Sequence, residues 1–339
     1  MLAAGMLISV VSLVFTGCTK EGPAGKDGSD ANATCTQCHN FGDTIVAKIF
    51  QYDASQHATG STTFESNRNA CAPCHSSQGY QECLQTGQDT TAKGISDPAP
   101  INCRTCHMIH ETYTSSDWGL RGTDSYTLRI DHTITMNLAG TGNLCGRCHQ
   151  ARKPSPWVTN PTGSDTLKVT NFRWGPHYGT QSLILGAKGA FEFGSPYGSI
   201  QGHANGASCN SCHGASAVGN LTGGHTLKIA NEEEGDNLAG CNVAACHNGS
   251  VDQDWMEEKQ TEIETKFETL RGLLLAANII DSTDHIIASS SNPKWYTQKE
   301  LAVVWNFLLI EYDRSWGIHN YNYAEDLLDA SIAAIQSKK

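Results

Sequence analysis

A Cys-x-x-Cys-His pentapeptide occurs five times in this sequence of 339 residues. With 14 Cys and 14 His in the chain, a shuffled sequence would contain only about 0.02 such pentapeptides, so the repetition is not a chance event. A sixth copy is stretched by two residues between its Cys and keeps the terminal Cys-His pair. The copies, called motifs 1 to 6 in chain order, consist of Cys35, Cys38 and His39; Cys71, Cys74 and His75; Cys103, Cys106 and His107; Cys145, Cys148 and His149; Cys209, Cys212 and His213; and Cys241, Cys246 and His247.

This spacing is typical of the covalent attachment of haem c. The two thiols form thioethers with the porphyrin, and on a tight turn residues i, i+3 and i+4 share a face, so the His lies beneath the iron as its proximal ligand. The alternatives are structural zinc, which uses closed sets of four ligands, and a disulfide framework. Neither requires a His directly after every second Cys. We therefore predict six haem c groups, held by the twelve Cys of the motifs.

Two Cys remain outside the motifs, Cys18 and Cys83. Residues 1–17 are apolar and uncharged, and they are shorter than a membrane-spanning helix of ~20 residues, which predicts a signal peptide. Val14-Phe-Thr-Gly-Cys18 resembles a bacterial lipobox, and the Thr19 that follows resembles a lipoprotein sent to the outer membrane. The usual basic region is missing, so the true start could lie upstream. Cys83 is interpreted as an inert thiol, with an intermolecular disulfide as the alternative.

The net charge of −11 restricts the partners. Two propionates on each haem would make the protein more acidic still. Nucleic-acid binding needs a basic patch and is therefore not expected. An acidic surface instead suits the basic faces of other redox proteins.

The motifs and the loops between them define the expected domains. Residues 18–33 are predicted to be a lipidated, flexible tether. Residues 34–250 carry all six motifs, with irregular spacing that argues against a stacked repeat array. Residues 251–339 are predicted to form helices packed on this haem domain.

The predicted fold class is mainly α with extensive coil and little β, and with the haems forming much of the core. Apolar spacing predicts helices over 258–277 and 324–336. The sequence Thr297-Gln-Lys-Glu300 predicts a capping box that opens a helix to about Arg314. Alternating stretches at Tyr126 and Thr166 are expected to be short strands, without a large sheet.

Eight His lie outside the motifs, whereas only three Met follow the signal peptide. Met could therefore serve three haems at most, and ligation of each iron by two His is the expected arrangement.

Several sequence segments resemble those of multihaem c-type cytochromes, a family of exported proteins that serve respiratory and extracellular electron transfer. They are Cys103-Arg-Thr-Cys-His-Met-Ile-His110, Asn143-Leu-Cys-Gly-Arg-Cys-His-Gln-Ala-Arg152, Trp174-Gly-Pro-His177-Tyr-Gly-Thr-Gln181, Gly223-Gly-His225-Thr and Asp313-Arg-Ser-Trp-Gly-Ile-His319-Asn.

This resemblance implies that His110, His177, His225 and His319 are distal ligands. It extends to His57 and His203, which lie shortly before motifs 2 and 5. His132 and His285 match no such phrase and are interpreted as ordinary polar residues. Which distal His serves which haem is left open, and so is whether Asp313 and Arg314 form a salt bridge beside His319.

An iron with His on both sides has no open position for a substrate and is expected to have a low reduction potential. The sequence therefore predicts an electron carrier that is not an enzyme, located at the cell surface or in the periplasm. Its expected partners are other cytochromes or extracellular electron acceptors, with a lipid anchor in the membrane. Two alternatives remain: a subunit of a polymeric cytochrome filament, and a reductase of the nitrite or tetrathionate type with one open haem, for which motif 6 is the strongest candidate.

Overall fold

The computed structural model describes residues 42–194, 197, 202–231 and 235–337. Within these residues the protein is mainly helical, with long stretches of coil and few strands, as the sequence predicted. Motif 1 (Cys35, Cys38 and His39), Cys18, the predicted signal peptide and the predicted tether all lie outside the described residues. Attachment of a haem at Cys35 and Cys38 therefore stays a prediction.

The part of the chain that carries the motifs consists of short helices joined by coil. Many Gly, Asn, Ser and Thr interrupt the apolar pattern there, so no helix continues for more than a few turns. The α-helices are α1 (Asp43–Asp53), α2 (Ala72–His75), α3 (Ser77–Thr86), α4 (Cys103–Cys106), α5 (Gly142–Gly146), α6 (Gln181–Leu185), α7 (His203–Gly206) and α8 (Cys209–His213). Short 3₁₀ turns occur at His57–Thr59, Thr63–Asn67, Ser115–Trp118, Gly224–Thr226 and Leu238–Gly240.

The strands form two antiparallel pairs. β1 (Tyr126–Leu128) pairs with β2 (Asp131–Met136), and β3 (Thr166–Val169) pairs with β4 (Lys294–Thr297). The strands predicted near Tyr126 and Thr166 are therefore confirmed, whereas β2 and β4 were not predicted. The second pair connects segments more than a hundred residues apart.

Three helices follow the motifs: α9 (Gln253–Ala276), α10 (Gln298–Asp313) and α11 (Tyr321–Gln336). The predicted capping box is confirmed, because the Thr297 side chain accepts from the N–H of Glu300 and the Glu300 carboxylate accepts from that of Thr297. Helix α10 ends where Arg314 adopts a left-handed conformation with φ of 58°. It is buried on nearly all sides, which identifies it as the central helix of this region.

A continuous apolar core surrounds α10. Phe307 stacks on Phe267 of α9 with ring centroids 4.5 Å apart. Trp305 is fully buried, contacts the Trp157 ring edge-on, and donates from its indole N–H to the Gly189 carbonyl at 2.9 Å. This part of the interior is thus made of protein side chains, whereas residues 42–125 contribute none of the buried residues of this core.

None of the helices in the described ranges is both long enough and apolar enough to cross a bilayer.

Candidate haem sites

The motif residues lie on short, capped turns. In motif 3, the Asn102 side chain accepts from the N–H of Arg104 while Asn102 donates to the Thr105 hydroxyl, so a full capping box holds a helix of only four residues. Ser208 caps motif 5 in the same way. In stretched motif 6, the N–H of His247 bonds to the Cys241 carbonyl at 3.1 Å, which brings the ends of the motif together despite the two extra residues.

The thiols of the described motifs differ in exposure. Cys103 of motif 3 and Cys246 of motif 6 are exposed, whereas the other described motif Cys are partly buried. The sequence assigned Cys246 to haem attachment although its motif is stretched. An exposed thiol at this position leaves room for a porphyrin edge, but attachment at Cys246 stays a prediction.

Each described motif His faces one of the non-motif His that the resemblance nominated. The rings face each other across a gap of nearly constant width. By ring-centroid distance, the pairs are His75–His177 at 6.3 Å, His107–His225 at 6.1 Å, His149–His57 at 6.1 Å, His213–His319 at 6.2 Å and His247–His203 at 6.1 Å.

This gap has the width that an iron between two imidazoles requires. Two metal–nitrogen bonds of ~2 Å, each extended by ~1 Å from the nitrogen to the ring centre, add up to roughly 6 Å. Direct packing of the two rings does not explain it, because the planes of the five pairs meet at angles from 14° to 81°. The five pairs could therefore each hold one haem iron.

Hydrogen bonds at Nδ1 orient several of these rings and leave Nε2 available for a metal. The acceptors are mostly neutral oxygens of nearby turns. The contacts are His75 to the Thr62 hydroxyl (2.9 Å), His107 to Trp118 O (2.7 Å), His149 to Gln181 Oε1 (3.1 Å), His203 to Ile318 O (2.8 Å), His213 to Leu227 O (2.9 Å) and His319 to Asp313 Oδ1 (2.6 Å).

Burial lowers the pKa of six of the ten facing imidazoles, namely His57, His75, His149, His177, His213 and His225. Burial, followed by the charge of His149, lowers the pKa of His57 to about 4. Burial, followed by Arg152, likewise lowers the pKa of His177 to about 4. A neutral imidazole has the free lone pair that a metal ligand needs.

Apolar and polar groups beside the pairs also fit a planar cofactor. Exposed aromatic side chains contact the rings: Trp118 lies 6.3 Å from His107, and Tyr178 lies 5.3 Å from His177. The buried Tyr80 hydroxyl has no hydrogen-bond partner and lies among the thiols of motifs 3 and 4. Exposed aromatic surface and an unpaired buried hydroxyl are both costly unless another group covers them.

The motifs also approach one another through their thiols. The thiols of Cys74 (motif 2) and Cys148 (motif 4) lie close enough for each to shift the pKa of the other. The same holds for Cys145 of motif 4 with Cys209 of motif 5, and for Cys212 of motif 5 with Cys241 of motif 6. We call this series of motifs 2, 4, 5 and 6 the contact chain.

Backbone contacts support the same order. The Cys148 thiol donates to the carbonyl of Pro73, inside motif 2, at 3.6 Å, and the Cys209 thiol donates to the carbonyl of Gly142, in α5, at 3.9 Å. Gly240 allows motif 6 to approach motif 5, because a Cβ at this position would collide with the Ser211 carbonyl.

In the described part of the chain, no disulfide joins two Cys, and no cluster of three or more His, Cys, Asp or Glu side chains is arranged to hold a metal ion. Cys83 is buried, and burial raises the pKa of its thiol to about 11, which makes it unreactive at neutral pH.

His132 and His285, the two His expected to be ordinary polar residues, face none of the described motif His. His132 is exposed, and its Nε2 lies 3.1 Å from Oδ2 of Asp89. His285 packs against Phe172 and bonds to the Thr283 hydroxyl.

The sequence left open whether Asp313 forms a salt bridge with Arg314. In the structure, the Asp313 carboxylate contacts His319 and Ser315. The signal that could have identified this contact is the short spacing of Asp313, Ser315 and His319.

The loop that carries His110 depends on a buried carboxylate that the sequence analysis did not single out. His110 has a φ of 66°, a left-handed conformation that is unfavourable for a residue with a Cβ. The Asp117 carboxylate accepts from the N–H groups of His110 (2.8 Å), Thr112 (2.8 Å) and Tyr113 (3.1 Å). Burial of the Asp117 carboxyl would raise its pKa, but the hydrogen bonds from Thr112, His110 and Tyr113 lower it overall. Asp117 is therefore expected to maintain the strained conformation of His110.

Replacing Asp117 by Ala should release this loop and weaken ligation by His110. We expect a fraction of the molecules to have one haem converted from low-spin to high-spin. If six haems are present, at most about one-sixth of all haem would become high-spin. The measurement is the high-spin charge-transfer absorption and EPR signal of the oxidised protein. Asp124→Ala is the control, because Asp124 is an exposed carboxylate of a neighbouring loop. Equal spectra for the two variants would contradict this role of Asp117.

No protein-family model matches the sequence, and no curated protein matches it. Among solved structures, the fold is similar to that in the "Crystal Structure of Outer Cell Wall Cytochrome OcwA", with a TM-score of 0.53 and 19% sequence identity. The match covers 84% of this chain and 50% of the OcwA chain, so this chain spans about half the length of that protein. The protein thus has a mainly helical, coil-rich fold with few strands that it shares with an outer cell wall cytochrome.

Proposed function

We propose that this protein is an exported multihaem c-type cytochrome that conducts electrons through six haems, each held between two His. The observation that carries this proposal is the facing of five motif His and five non-motif His at 6.1–6.3 Å. The fold similarity to a cytochrome agrees with it. When bound, each haem iron would supply reversible one-electron exchange.

The sixth haem is assigned by elimination. Five of the six nominated distal His each face a motif His other than His39, and His39 lies outside the described residues. We therefore assign His110, the sixth nominated distal ligand, to motif 1. Its ring stacks on Tyr113 at 5.5 Å, which adds an aromatic face beside this site.

The facing His support a carrier rather than a reductase. A reductase needs one iron with an open side for substrate, and motif 6 was the strongest candidate for such a site. His203, however, lies opposite His247 of motif 6, and its Nδ1 bonds to the Ile318 carbonyl, which aims the other ring nitrogen at the gap. In the five described sites a side chain therefore stands on each side of the gap. Ligation by two His also predicts low reduction potentials.

The contact chain supports conduction along the protein. Because each thiol would be covalently attached to a porphyrin edge, contact between the thiols of two motifs brings two porphyrin edges together. Cys74 with Cys148, Cys145 with Cys209, and Cys212 with Cys241 would thus connect four haems in the order of motifs 2, 4, 5 and 6. Cys106 of motif 3 lies close enough to the thiols of Cys145 and Cys148 to contribute to raising their pKa, which would place the haem of motif 3 beside that of motif 4.

We further propose that the protein acts outside the cytoplasm, attached to the outer membrane by lipid on Cys18. The lipobox-like sequence supports the anchor, and the similarity to an outer cell wall cytochrome supports export. Its partners would be other redox proteins with basic faces, or electron acceptors outside the cell, because the net charge is −11 before any propionate is counted.

Ligand replacement tests this function directly. In the oxidised holoprotein, His177→Ala should convert one low-spin haem to high-spin and create one site that binds carbon monoxide after reduction. The physical reason is that alanine leaves the iron held by His75 with an open side. The EPR spectrum and the carbon monoxide difference spectrum are the measurements, and the mass of the intact protein gives the haem count.

His132→Ala is the matched control, because it removes an exposed His that faces none of the described motifs. It should leave all haems low-spin. Wild-type protein that binds carbon monoxide stoichiometrically at one haem would favour the reductase. A mass with markedly fewer than six haem additions would overturn the proposal itself.

A further inference from the structure

The distal ligand of motif 5 differs from the other candidate ligands in the charge of its partner. Nδ1 of His319 lies 2.6 Å from Oδ1 of Asp313. His75, His107, His149, His203 and His213 instead bond through Nδ1 to a hydroxyl, to backbone carbonyls or to the amide oxygen of Gln181, all of which are neutral. In the described chain, a carboxylate therefore meets a candidate ligand at Nδ1 in only one of the five pairs.

Asp313 has the surroundings of an ionised carboxylate. Its side chain is only 2% exposed. Oδ2 accepts from both the hydroxyl and the N–H of Ser315. When Nε2 of His319 holds the iron, Nδ1 carries the ring proton and donates to Oδ1, so three donors surround the carboxylate and stabilise negative charge on it.

This carboxylate would lower the reduction potential of an adjacent iron through two effects. A hydrogen bond from Nδ1–H to a carboxylate makes the imidazole a stronger donor through its other nitrogen, which stabilises the higher oxidation state. The buried negative charge also favours the oxidised haem, which carries one more positive charge than the reduced haem, and low solvent exposure preserves this attraction. The other pairs lack such an anion, and Arg68 and Arg152 lie near the pair of His75 and His177 instead.

We propose that Asp313 is a positioning residue that gives the haem between His213 and His319 the lowest reduction potential of the five described sites. This inference rests on the proposed function, because it assumes a haem at motif 5. Motif 5 lies inside the contact chain, between motifs 4 and 6. Asp313 would thus create an energetically uphill step in the middle of the path, and this haem would be the last of the five to accept an electron.

Two variants with opposite expected effects test the proposal. Asp313→Asn keeps the shape of the side chain and removes its charge, so the midpoint potential of one haem should shift upward. Ser315→Ala removes the hydroxyl that partly neutralises Asp313, so the midpoint of the same haem should shift downward. A residue that only shaped the turn would not give shifts of opposite sign.

The measurement is an anaerobic redox titration of the holoprotein followed by the EPR signals of the individual low-spin haems. His319→Ala identifies the relevant signal, because this variant should convert that haem to high-spin. Asp329→Asn is the control, because Asp329 is a largely exposed carboxylate of α11 that pairs with Lys266. This control should leave all midpoints unchanged.

The proposal is overturned if the identified haem is not reduced last among the five, or if the Asp313→Asn and Ser315→Ala shifts are absent or share a sign. If Asp313→Asn loses the low-spin signal altogether, the Ser315→Ala variant decides alone, and the lack of a downward shift overturns the proposal. A His319→Ala variant with no change in any low-spin signal would instead contradict the proposed function at motif 5, whatever the effect of Asp313.

Discussion

Replacing Cys145 and Cys148 by Ser is expected to separate the protein into two electronically isolated parts. The double variant should lose the haem of motif 4, and with it the connection from Cys148 to Cys74 and from Cys145 to Cys209. The haem of motif 2 would then be cut off from those of motifs 5 and 6. When the reduced protein is oxidised in an anaerobic stopped-flow experiment, the wild type should lose its electrons as one pool. The variant should show a second population that reacts at least about tenfold more slowly, equivalent to a barrier higher by ~1.4 kcal/mol.

Motif 3 provides the matched control. Cys103→Ser with Cys106→Ser removes one haem by the same chemistry, but these residues are not members of the contact chain. Intact mass should show the loss of one haem in both double variants, and far-UV circular dichroism should show that α9 to α11 remain folded. A slow population of the same size in the motif 3 variant would contradict the order of the contact chain.

Replacing Trp305 by Ala should produce the largest loss of stability from a single substitution in the C-terminal helices. The side chain is fully buried against Trp157, and its indole N–H bonds to Gly189. Truncation of a buried Trp costs about 3–5 kcal/mol, through lost burial and the cavity that remains. That is a large part of the ~5–15 kcal/mol by which a typical domain is stable. We expect the midpoint of thermal unfolding, followed by circular dichroism, to fall by about 10 °C.

Trp295→Ala is the matched control, because it removes the same type of side chain from an exposed position. Trp295 lies on β4 and is 64% exposed, so its truncation should change the free energy of unfolding by no more than ~0.5 kcal/mol. Both variants should retain the full number of haems in their mass spectra, since neither residue is near a motif Cys in the sequence. Similar midpoints for the two variants would show that the core around α10 contributes little to the stability of the holoprotein.

Several local features could be predicted because their signals lie within a few residues. The capping box of Thr297 and Glu300 is one example, and the amphipathic pattern of α9 is another, although that helix begins at Gln253, earlier than predicted. The strands β2 and β4 were missed for the opposite reason. β4 pairs with β3, which lies more than a hundred residues earlier in the sequence. A segment of four residues is too short for its periodicity to predict such a pairing.

The candidate sites divide in the same way. The six Cys-His motifs could be recognised from residue order alone, because covalent attachment of one porphyrin requires two thiols and a His at short, fixed spacing. The six nominated distal His came from a resemblance, and the five that face a described motif His could not be paired with it from the sequence. His57 lies opposite His149, and His203 opposite His247, although each precedes a different motif in the chain.

The tertiary structure alone decided these pairings, the contact chain and the position of Asp313. Each depends on the approach of segments that are separated by tens to more than a hundred residues, and that approach is determined by packing rather than by local propensity. The proposed motif chemistry, in contrast, is local, since two thioether bonds and one proximal ligand would have to fit on a single turn. Residue order therefore indicates which side chains could attach a haem, whereas the fold specifies which His lies opposite and which motif lies next to it.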